Sequence, residues 1–165
     1  MSTLNIQDRL DFLGITRETS LILREFLPIA EKHLPAILAS FYEHLSTRPQ
    51  LIGLFGTGER RAAAIAHAKD AQARHWMNLF SGNFDDAYVT SVRKIGLVHS
   101  RIGLEPRWYI GGYAFTMNHI YNAIVHAFSN RLNPSDAQAK AARMMQAVNQ
   151  AVMLDMDLAI SIYIE

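Results

Sequence analysis

A chain of 165 residues, half of them hydrophobic, is one domain with enough apolar material to build its own core. With 16 basic and 15 acidic side chains and a formal net charge of +1, it lacks the electrostatic footprint of a binder of nucleic acid or of acidic membrane surfaces. The absence of cysteine excludes disulfides, zinc–thiolate sites and any cofactor held through sulfur from cysteine.

The opening Met1-Ser2-Thr3-Leu4-Asn5 has neither a basic segment nor an apolar one behind it, and no apolar run reads as a membrane span, so the chain reads as cytoplasmic. Period-two alternation is never sustained, which predicts an all-α fold. A short helix is expected around residues 8–13, stopped by Gly14. Thr16 then caps a longer run, with Glu18 in its first turn. Pro28 and Pro35 predict a bend or a junction between two helices, leaving residues 36–45 as the element that carries Tyr42. Thr47-Arg48-Pro49 opens a short helix or turn through Phe55, ended by Gly56-Thr57-Gly58. Residues 59–80 are helical, with Ala64, Ile65, Ala68, Ala71, Trp76 and Leu79 on one face, and Gly82 stops them. The next helix spans 85–102 and ends at Gly103; Pro106 begins another that runs to about 128. Asn133-Pro134-Ser135-Asp136 opens the last helix, which continues to Glu165 with no Gly or Pro to stop it. That end reads as cut, so residues 1–165 are expected to be one domain at the N-terminus of a longer protein.

Within the 85–102 helix, His99 shares an apolar face with Tyr88, Val92, Ile95, Gly96 and Ile102. A histidine in such a face must satisfy its ring nitrogens or lose about 1–3 kcal/mol per unmatched group. Iron is one partner; a hydrogen bond within the core is the other. Gly96, in the preceding turn, removes a side chain that would obstruct a flat macrocycle. His67 and His75 on the middle helix are further possible ligands, and His119 and His126, two turns apart, read as a metal pair or as surface residues.

His99-Ser100-Arg101-Ile102-Gly103-Leu104, followed by Pro106 and Trp108-Tyr109, resembles the proximal-histidine signature of globin-coupled sensors, the haem-binding domains of bacterial signalling proteins. The stretch Phe80-Ser81-Gly82-Asn83-Phe84-Asp85-Asp86-Ala87-Tyr88 is similar to that family's approach to the proximal helix. Arg9-Leu10-Asp11-Phe12-Leu13-Gly14-Ile15-Thr16 resembles its entry segment, and Phe41-Tyr42-Glu43-His44-Leu45 its distal tyrosine motif. The four segments occur in the family's order and cover nearly the whole chain.

The resemblance implies a globin fold with an extra N-terminal helix and without a clear D helix, holding haem b. It implies His99 as the iron ligand, with the carbonyl of Ile95 as the expected partner of its second ring nitrogen. Tyr42 is implied as the distal hydrogen-bond donor. Phe55, Met77, Ile102, Trp108, Tyr109 and Tyr113 are expected to line the macrocycle, with Ala68 and Ala71 overlying it from the middle helix. His67 is expected in solvent or beside a propionate. Small alanines stand at 68 and 71 where the family carries larger or hydroxyl-bearing residues, which points to a roomier pocket.

The implied function is an oxygen or other diatomic-gas sensor, with O2 binding at ferrous haem and CO or NO as further ligands. No residue is assigned a catalytic role. The change is relayed to a C-terminal output domain through a homodimer formed by the last two helices, on a face that includes Met144, Val148, Ala151, Leu154 and Leu158. The alternatives are a free-standing oxygen-binding globin, a haem enzyme such as a peroxidase or nitric-oxide dioxygenase, and a cofactor-free helical dimerisation module.

Overall fold

The structure, a computed structural model, describes residues 5–164. The first four residues and Glu165, on which the reading of the chain's ends rested, lie outside that range. Helix α1 spans Ile6–Leu13 and α2 spans Arg17–Leu45; α3, Pro49–Ile52, continues into a single 3-10 turn, Gly53–Phe55. Four long helices follow: α4 over Gly58–Phe80, α5 over Asp86–Arg101, α6 over Pro106–Phe128 and α7 over Pro134–Ile164. No strand occurs among the described residues, and the all-α expectation holds.

The helix starts follow from local chemistry. Asn5 accepts from the Asp8 N–H at 3.1 Å, and Asp85 accepts from the Tyr88 N–H at 2.9 Å. Thr16 and Thr19 exchange side-chain and backbone bonds in a capping box. Pro106 occupies the first turn of α6.

The two prolines do not divide α2. One helix of 29 residues runs through both. Pro28 and Pro35 are exposed and seven residues apart, on the side away from the core. Each removes one backbone donor, and the carbonyls left open belong to exposed Arg24 and Glu31, where water can reach them. On the opposite side Leu23, Phe26, Ala30, Leu34, Ile37, Leu38 and Tyr42 are buried, and this continuous packing outweighs the local penalty.

α7 is the spine of the domain and packs against α1, α2, α4, α5 and α6. It is long and apolar enough to cross a membrane by length and composition, contrary to the expectation that no such run exists. Its apolar residues are instead spent inside the fold. Met144, Val148, Ala151, Leu154 and Leu158 are all buried within the protomer, so the face expected to form a dimer interface is already occupied.

α1 is fastened to α7 by an Arg9–Asp157 ion pair at 2.5 Å. Gln150 Nε2 adds hydrogen bonds to the carbonyls of Leu13 and Gly14 at 3.0 and 3.1 Å. The α4–α5 turn is held by α2: Ser20 Oγ donates to the Gly82 carbonyl at 2.9 Å. Gly82 has φ +75°, and a Cβ there would stand 3.0 Å from the Ser20 backbone, so the site demands glycine twice over.

Candidate functional site

α5 divides its residues between two directions. Tyr88, Val92 and Gly96 are buried, and a Cβ on Gly96 would meet Ile162 Cγ2 of α7 at 2.9 Å. Gly96 therefore admits α7 and not a macrocycle, which corrects the expectation drawn from its place beside His99. Ile95 and His99 are half-buried, and Ile102, the residue that ends the helix, is exposed.

The His99 ring lies 5.2 Å from that of Tyr109, tilted by 34°. Burial holds the His99 pKa below its ordinary value, and the positive charge of His75 lowers it further. The neutral imidazole, the form that binds metals, is thereby favoured. Among the described residues no hydrogen bond engages the His99 ring, so the expected bond to the Ile95 carbonyl is not formed.

Tyr42 is buried on α2, edge-on to Phe55 at 6.0 Å, with Lys69 Nζ of α4 5.7 Å from its ring centre. Burial pushes its hydroxyl up to about 12, so the oxygen keeps its proton and can donate. On α4, Ala68 is half-buried but Ala71 faces solvent, as does His67. The alanine stripe is therefore not one continuous wall.

The remaining expected residues have mixed positions. Met77 packs against the core cluster, and the Tyr113 hydroxyl is committed to a carboxylate. Trp108 is half-buried, with the Arg107 guanidinium 4.4 Å from its ring. Tyr109 is buried, touches the Tyr163 ring of α7 at 6.0 Å and has a hydroxyl without a partner among the described residues. The structure thus forms two ring pairs from the expected set, His99 with Tyr109 and Tyr42 with Phe55. α4 packs on α2 and α7 and α5 packs on α7, while α4 and α5 do not pack extensively on each other.

Sequence reasoning missed the most heavily bonded group nearby. Asp155 of α7 is 2 % exposed. His75 Nε2 lies 2.9 Å from both of its oxygens; Tyr88 Oη donates to Oδ1 and Tyr113 Oη to Oδ2, each at 2.6 Å. Burial alone would lower the His75 pKa, but the charge and hydrogen bond of Asp155 together raise it. Burial likewise opposes the carboxylate, yet His75 and then the two tyrosines hold the Asp155 pKa below its ordinary value. The two shifts favour the charged forms of both partners, imidazolium and carboxylate, while His75 Nδ1 is buried with no partner among the described residues. Asp155 thus engages Nε2 of His75, one of the two ring nitrogens a second iron ligand could have used. One signal for it was visible: Asp155 occupies the apolar stripe of α7 between Val152 and Leu158, where a lone charge must be partnered.

A family model described as Protoglobin matches residues 3–165. The heme-based aerotactic transducer HemAT of Halobacterium salinarum is 25 % identical over 163 residues, covering 95 % of this chain and 32 % of that protein. The chain thus spans about a third of the length of that curated relative. Among solved structures, the globin domain of the Geobacter sulfurreducens globin-coupled sensor superposes with a TM-score of 0.83 at 20 % identity, covering 99 % of this chain and all of that one. The ferric globin domain of E. coli DosC gives 0.67 at 19 % identity, over 96 % of this chain and 97 % of that one. Both likenesses establish the globin fold.

Proposed function

The chain belongs to the protoglobin family, and on that premise we propose that it is a haem-based sensor domain for a diatomic gas, with His99 as the axial ligand of haem b. The observation that carries this reading is His99 itself. It is a half-buried imidazole whose neutral form is favoured and which is free of hydrogen bonds to the described residues, on a helix that does not pack extensively on α4. The Tyr109 ring beside it carries a buried hydroxyl with no partner among the described residues, so the residues present fit the cofactor.

Haem b, held through His99, would supply a ferrous iron able to bind O2, CO or NO. Tyr42, its hydroxyl protonated and its ring edge-on to Phe55, would serve as hydrogen-bond donor to a polar bound gas. His99 leans on Tyr109 and Tyr109 on Tyr163, which gives a displacement of the imidazole a packed route into α7. The domain binds rather than turns over a substrate, resides in the cytoplasm and addresses an output region of a longer polypeptide. The match to one third of an aerotactic transducer supports that placement. Pairing of two copies through α6 and α7 would use the groove that contains exposed Val125 with Phe128, Ala141 and Met145, since the inner face of α7 is occupied.

Absorption spectroscopy of the haem-loaded chain tests the ligand. The ferrous protein is expected to bind CO reversibly, and His99→Ala to lose the wild-type ferrous spectrum. An unchanged spectrum in His99→Ala would remove His99 from the iron.

A further inference from the structure

Asp155 collects donors from α4, α5 and α6 on a single carboxylate of α7, but the three helices are not held alike. α6 is gripped on two sides, by α2 and by α7, and the Phe41 ring of α2 stands so near Gly112 that a Cβ would meet it at 3.3 Å. α4 is also shared between α2 and α7. α5 has α7 as its one extensive helix partner, and the buried bond from Tyr88 Oη to Asp155 Oδ1 crosses that seam. Tyr88 and His99 lie on the same uninterrupted helix, about 16 Å apart along its axis. A shift of His99 along that helix would carry Tyr88 with it, at the seam with α7.

We propose that Asp155 is the coupling residue of the domain, with the Tyr88–Asp155 hydrogen bond carrying movement of the His99 helix into α7 while Tyr113 and His75 hold the carboxylate in place. This rests on the gas-sensor reading. Tyr88 and Tyr113 make bonds of equal length, 2.6 Å, to opposite oxygens of one group, the former buried and the latter part-buried, and a merely structural brace gives no reason for a response to CO to depend on one and not the other. A coupling role makes it depend on Tyr88.

The test is amide hydrogen exchange of α7 in the ferrous haem-loaded chain, with and without CO. In the wild type, CO changes exchange over residues 148–162. Tyr88→Phe is expected to bind CO with its spectrum intact and to lose that change; Tyr113→Phe is expected to keep it. Retention of the wild-type response in Tyr88→Phe, or equal loss in both variants, overturns the proposal. A wild type that binds CO without any response in α7 overturns it too, leaving the sensor cofactor in place. A wild type without a haem spectrum overturns the sensor reading beneath it. The unmutated protein provides a second measurement that does not depend on variant folding. With tyrosine labelled at Cζ with carbon-13, CO should shift the Tyr88 resonance and leave that of Tyr113, and the reverse pattern refutes the assignment.

Discussion

Gly96→Ala separates two readings of the same glycine. In a helix interior the change to alanine normally stabilises by up to about 1 kcal/mol, because glycine pays more backbone entropy. Here the new Cβ would lie 2.9 Å from Ile162 Cγ2 and 3.1 Å from Ile162 Cβ, and Ile162 is 3 % exposed, with little room to retreat. Overpacking of this kind costs about 1–3 kcal/mol. The steric term wins, for a net loss of about 1 kcal/mol and a fall of roughly 2–4 °C in Tm for a domain of this size. Urea denaturation of the haem-free chain measures it. Gly111→Ala is the control, since nothing stands within 4 Å of a Cβ there, and it should hold or raise stability. Ile162→Ala in the Gly96→Ala background should recover part of the loss, as contacting residues couple in a double-mutant cycle. If Gly96→Ala were stabilising, or left urea stability alone but weakened haem uptake, the α7-facing geometry would be refuted.

The remaining predictions concern the polar groups. Asp155→Ala leaves the His75 charge and two hydroxyls without their partner and should destabilise by about 3–5 kcal/mol in urea denaturation; a loss under 1 kcal/mol would mean that the buried pair is not formed. Because the folded pKa of His75 is raised, its contribution to stability is full below about pH 6.5 and is lost as pH rises through the folded value. The folded pKa of Asp155 is lowered, so its contribution is full above about pH 4 and is lost as pH falls through the folded value. Stability from the pair thus peaks between these limits. In Asp155→Asn only the burial penalty acts on His75, so its contribution should reverse and rise with pH towards 6.5; an unaltered slope would contradict the assignment. Tyr42→Phe should speed O2 dissociation from the haem-loaded chain by about tenfold, the value of one hydrogen bond, and leave CO dissociation nearly unchanged. Equal effects on both gases would show that Tyr42 acts by shape alone.

What was legible in the sequence is what neighbouring residues decide among themselves. Asn5, Thr16, Asp85 and Pro106 start helices through bonds and torsions spanning a few residues, and the starts of α1, α2, α4, α5 and α6 came out within a residue or two of expectation. The segment around His99 that carries the family resemblance was legible for the same reason, as an unbroken run, and the family match spans it. Pro28 and Pro35 mark the limit of local reasoning: each weakens α2 on its own, but the buried side of that helix joins residues that no window of the sequence brings together. Gly96 and Asp155 lie 59 positions apart; the first was read against its immediate neighbours and the second was passed over. Only the seam between α5 and α7 decides that one makes room for Ile162 and that the other joins Tyr88 to His75 and Tyr113. A period of 3.6 residues says which side chains share a face; it does not say which helix that face will meet, because partners are selected by packing and desolvation across the whole fold.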